Sequence, residues 1–129
     1  MAKINYSLNI QVMGGIKVNV VKSIDAEATE TIDVTIPKGG AETEVQVLPA
    51  NAPEVSFLMV TADGYGDTLG YTLTAGGATS YTVDGPHLLI GKGSVGLLGT
   101  PLPTSLFFKN TDATADVIVH ILIGRDATP

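Results

Sequence analysis

Gly91-Lys92-Gly93-Ser94-Val95-Gly96 has the G-x-G-x-x-G spacing that lets backbone amides approach a pyrophosphate at the start of a helix. That chemistry needs a strand before the motif and a full helix after it. The run His87-Leu88-Leu89-Ile90 can supply the strand, but Gly99, Pro101 and Pro103 arrive too soon for the helix. One irregular turn over Gly93–Leu98 is the most the composition allows. The P-loop reading fails at once, because Pro86 stands where its first glycine belongs and Gly93 follows Lys92. These glycines are expected to turn the backbone sharply or to lay it flat against a neighbour.

Other residues capable of chemistry are sparse. Asp63 and Asp67 stand four apart in a Gly-rich loop, where a hard cation could find some oxygens. There is no third carboxylate or closing Glu, so a solvated hairpin turn is the simpler reading. His87 and His120 are the only histidines, and the chain has no cysteine, so neither a thiolate zinc site nor a thiol nucleophile can be built. His120 lies between Val119 and Ile121, which places it on the outer face of an alternating strand. No serine sits in a G-x-S-x-G elbow. Asn5-Tyr6-Ser7 is formally a glycosylation sequon but falls inside a strand. Tyr65, Tyr71 and Tyr81 surround Gly-rich turns and could stack on sugar rings if exposed in a row; without tryptophan, core packing is the plainer role. The chain is therefore read as non-enzymatic, with no metal and no cofactor.

Elements to position these residues are all short strands. Ile4, Tyr6, Leu8, Ile10 and Val12 alternate with Asn5, Ser7, Asn9 and Gln11, and Gly14-Gly15 reverses the chain into Ile16, Val18 and Val20. A hairpin over Ile4–Ile24 is predicted, with one face half-buried. Thr31–Ile36, Glu44–Leu48, Tyr71–Thr74, Ser80–Val83, Ser105–Lys109 and Asp116–Ile123 follow as further strands, punctuated by Gly and Pro. Val55–Val60 is nearly continuous in apolar residues, the pattern of a central strand covered on both faces. Eight or nine short strands in one domain of 129 residues predict an all-β, antiparallel β-sandwich or jelly roll. Only Asp126–Pro129 is expected to fray.

Charge and hydropathy narrow the partners. At a net charge of −6, with scattered Lys and Arg, no basic stripe exists for nucleic acid. Seven acids (Asp25, Glu27, Glu30, Asp33, Glu42, Glu44 and Glu54) crowd the front of the chain, whereas Thr68–Phe108 carries only Asp84 and Lys92. One solvated face and one contact face are the expectation. Apolar runs fall short of a membrane span and no signal peptide precedes them, so a soluble protein with no membrane partner is expected. A small domain rarely hides as much apolar sequence as Thr68–Phe108 holds. His87, Leu88, Leu97, Leu98, Leu102 and Phe107 are the candidate oligomer or partner interface.

Two segments, Asp84–Gly99 and Ile121–Ala127, together with the architecture, resemble small β-rich virion structural proteins of tailed bacteriophages, of the capsid decoration (cement) type. The resemblance implies a protein that self-assembles, often as a trimer, and binds a capsid lattice. It implies location in the virion; without a phage origin, the cytoplasm is expected. Met1-Ala2-Lys3 and the tail after Gly124 would be arms that order on binding. The alternative is a carbohydrate-binding β-sandwich module.

Overall fold

Alternating β-branched residues between Gly and Pro breaks leave the chain little choice but strands. The computed structural model describes residues 2–47, 55–77, 80–99 and 102–125. Among them run β1 (Ala2–Gln11), β2 (Lys17–Ala26), β3 (Ala28–Ile36), β4 (Thr43–Gln46) and β5 (Val55–Ala62). Then come β6 (Leu69–Thr72), β7 (Tyr81–Thr82), β8 (His87–Ile90), β9 (Ser105–Asn110) and β10 (Val117–Arg125). A single helical turn, α1 (Lys92–Val95), continues into a 3-10 turn over Gly96–Leu98. The expected ends at Leu48 and Pro49, and the tail 126–129, lie outside the described residues.

After the β1-β2 hairpin, eight strands form two four-stranded sheets, ordered β3-β10-β5-β8 and β4-β9-β6-β7. Every neighbouring pair is antiparallel. The pairs β3–β10, β4–β9, β5–β8 and β6–β7 nest, first with last and inward to the centre. One long antiparallel ribbon, folded over on itself, gives this order, which is that of a jelly roll.

The inner faces meet in one core. Leu58, Val60, Val119, Ile121 and Ile123 of the first sheet pack toward Val45, Leu69, Tyr71, Leu106 and Phe108 of the second. Phe108 is fully buried, and hiding a ring of that size contributes about 1.5–3 kcal/mol. A register shift between Gly124 and Arg125 sets Val55 opposite Arg125, so Val55 and Leu58 both reach the core. Val95, on α1, is buried as well. Gly91 begins that turn at φ 92°, a left-handed conformation that favours glycine. The G-x-G-x-x-G run is thus a tight connection carrying a core residue, and the sharp-turn expectation holds.

Of the buried polar residues Thr72, Ser105 and Asn110, Asn110 is the one wholly buried, at the end of β9. Its amide donates to the carbonyls of Ala115 (2.8 Å) and Ile36 (3.4 Å), and its Oδ1 accepts from the Asp112 amide (3.1 Å). Asp112 in turn accepts from the amide and hydroxyl of Thr114, both at 2.8 Å, which holds its carboxyl below the usual range. These bonds close the loop from β9 into β10.

Candidate functional site

The β1-β2 hairpin is the part of the molecule least used by its own fold. Residues directly opposed in an antiparallel pair share a face. Its register therefore puts Ile4 with Ile24, Tyr6 with Lys22, Leu8 with Val20 and Ile10 with Val18 on one side. Lys3, Asn5, Ser7, Asn9 and Gln11, with their partners, occupy the other. The turn is closed by the Val12 amide on the Ile16 carbonyl at 2.8 Å. The base of the hairpin meets the sandwich: Ala26 is buried, and a Cβ placed on Gly124 would stand only 2.6 Å from the Ile4 side chain. Away from that base the apolar face opens to solvent. Ile10 is 51% exposed, Val12 58%, Ile16 74% and Met13 94%. The expected half-buried face holds over Ile4, Tyr6, Leu8, Val20 and Ile24; toward the turn, from Ile10 to Val18, none of the described residues covers it. A two-stranded ribbon alone is marginally stable in water, and this one leaves its apolar face open toward the turn.

The six interface candidates read from the sequence do not form one surface. Leu88 and Leu97 are exposed, Leu97 at 79%. Leu98 and Leu102 pack on the core beside Val47, Val55, Val95 and Leu106. Phe107 faces outward from the second sheet, on a cleft lined also by Gly70, Thr72, Ser80, Thr82 and Lys109, with a volume of about 140 Å³. His87 turns inward. Its Nε2–H donates to the Thr82 carbonyl at 2.9 Å, leaving Nδ1 to accept from the Tyr71 hydroxyl at 2.8 Å. This arrangement latches β8 of the first sheet to β6 and β7 of the second. The Tyr71 ring lies 5.6 Å from Tyr81 and 5.2 Å from Phe108, centre to centre. Burial, reinforced by Tyr81, raises the Tyr71 hydroxyl to about 12.

Tyr71 is only 4% exposed, so Tyr65, Tyr71 and Tyr81 make no exposed row. His120 lies on the outer face, as alternation predicts, with Nδ1 at 2.6 Å from Asp33 Oδ1. Asp63 Oδ1 accepts the Ile118 amide at 2.9 Å, a loop-closing bond. Among the described residues no group of three His, Cys, Asp or Glu side chains is placed to hold a metal ion, and no helix is long and apolar enough to cross a membrane. What the geometry offers is contact surface: an apolar arm, two exposed leucines and a shallow cleft. Compared with models of known protein families and with curated proteins, the chain matches none.

Proposed function

We propose that this chain is a non-enzymatic assembly protein that associates with itself, as a trimer or another small closed oligomer, and docks on a repeating protein lattice such as a phage capsid. The observation that carries the reading is the uncovered apolar face of the hairpin, which ends in Val12, Met13 and Ile16 and stands out from a well-packed sandwich. A lattice clamp needs a rigid scaffold and a projecting contact, and a jelly roll with an apolar arm supplies both. The arm replaces most of the contact role expected of residues 87–107, with Leu88 and Leu97 left as exposed apolar positions.

The cleft beside Phe107 favours a second reading, binding of a carbohydrate. Its aromatic edge, its Thr and Ser hydroxyls and Lys109 are groups that suit a sugar ring. Native mass by light scattering, over a hundredfold range of concentration, tests the first reading. A closed oligomer that persists on dilution is expected. A monomer throughout, together with glycan binding that Phe107→Ala abolishes, would move the assignment to the second.

A further inference from the structure

We infer that the β1-β2 arm of one copy lies across the outer face of the β3-β10-β5-β8 sheet of a second copy. This rests on the assembly reading and names the contact through which assembly occurs.

Charge is the first argument. Lys3, Lys17 and Lys22 against Asp25 leave the arm at +2, and since the whole chain is −6 the remainder carries −8. Lys3 pairs with Asp25 at 3.9 Å, whereas Lys17 and Lys22 have no ion-pair partner among the described residues. Opposite charges on arm and body favour contact between copies over contact of arm with arm.

The receiving face is the second argument. Alternation and register place Leu122, Met59 and Leu88 in one row across the outer side of the sheet, directly paired strand to strand. In the adjacent row Phe57 is already buried beside the base of the arm, where Gly124 meets Ile4, which leaves the half-buried Ile90 as the apolar residue open there. An outward face this apolar is unusual for a sheet with its other side in the core. Asp33 lies on the same face, and Asp63 bonds to the backbone of Ile118, which is also on it and exposed. Apolar rows bordered by acids match an apolar arm face that carries Lys22 opposite Tyr6, while Lys3 and Lys17 add positive charge from the other side of the arm.

Area is the third. Ten residues of strand extend about 33 Å, and a two-stranded ribbon about 10 Å wide presents at most roughly 330 Å² on one face, less the base already packed on its own sandwich. A copy that both gives and receives an arm covers about twice that. The total, at most about 660 Å², is that of a small, concentration-dependent interface rather than the roughly 800 Å² per partner of a standard one. A single arm laid on an unrelated surface covers half as much.

The test uses full-length chains. Wild type is expected to be oligomeric, and Ile10→Ser with Val18→Ser to weaken association at least tenfold while strand content by circular dichroism stays the same. Should that variant misfold, Lys17→Glu with Lys22→Glu changes only exposed positions and is expected to weaken association by a similar factor. Because the chain has no cysteine, a mixture of Ile10→Cys and Leu88→Cys chains reports proximity directly. Mild oxidation is expected to join one of each. An oligomer that both arm variants leave intact, or that yields no mixed crosslink, overturns the arm contact and leaves the assembly reading standing. A wild-type monomer at every concentration overturns both.

Discussion

Leu98→Asp is expected to lower stability by about 2 kcal/mol, whereas Leu97→Asp, one residue away, is expected to change it by less than about 0.5 kcal/mol. Leu98 is partly buried against the core within reach of Val47, Val55 and Val95, so a carboxylate there loses the leucine's apolar contacts and part of its own hydration. Leu97 points to solvent at 79% exposure. Urea unfolding of the two variants decides the matter. Equal, large losses would mean that the 3-10 turn packs differently, and equal, small losses that this end of the sandwich contributes little. If Leu97 also joins a partner, its variant keeps full subunit stability and loses association alone.

Raising the pH from 10 to 12 is expected to destabilise the wild-type chain more than Tyr71→Phe. The Tyr71 hydroxyl is raised from 10 to about 12 in the folded chain, first by burial and then by Tyr81. In that window the unfolded chain releases the proton and the folded chain retains it, so stability falls as pH rises. Below pH 10 both states hold the proton and the contribution is complete. A rise of this size corresponds to at most ~2.7 kcal/mol. Solvent screening at the edge of the sandwich reduces it to about 1–2 kcal/mol. Tyr71→Phe leaves the His87 Nδ1 without its donor, costing about 1 kcal/mol near neutrality, but removes this alkaline dependence. Parallel slopes for the two proteins between pH 10 and 12 would contradict the burial of this hydroxyl.

Strand positions were legible in the sequence wherever one face is core and the other is solvent. β10 is the plainest case: Val119, Ile121 and Ile123 point inward and His120 outward, as the alternation requires. β8 raised the strand count to ten because its alternation is hidden. His87 and Leu89 face in, Leu88 and Ile90 face out, and the outer side of that sheet is itself apolar. The β1-β2 hairpin shows the opposite limit. Its alternation specified the two strands and Gly14-Gly15 the reversal between them, but a period of two says which residues share a face and nothing of what covers them. Ile10 and Val18 have the same pattern as core residues and stand in water. For the same reason the neutral stretch after residue 87 read as a single contact surface. Low charge marks both core and interface, and the structure divides it: Leu98 and Leu102 to the core, Leu97 to solvent. Asn110 had no signal at all, since a buried polar residue is recognised only by the carbonyls that converge on it.

Hydrogen exchange of the arm amides, compared at assembling and at dilute concentrations, shows whether association covers the arm. An isolated two-stranded ribbon opens readily, so its amides owe lasting protection to whatever covers the apolar face. Amides of β1 and β2 are expected to be protected when the chain is concentrated and to exchange rapidly on dilution, while those of β5, β9 and β10 remain protected throughout. Arm exchange that is equally fast at both concentrations, with new protection appearing elsewhere, would contradict an arm-mediated assembly.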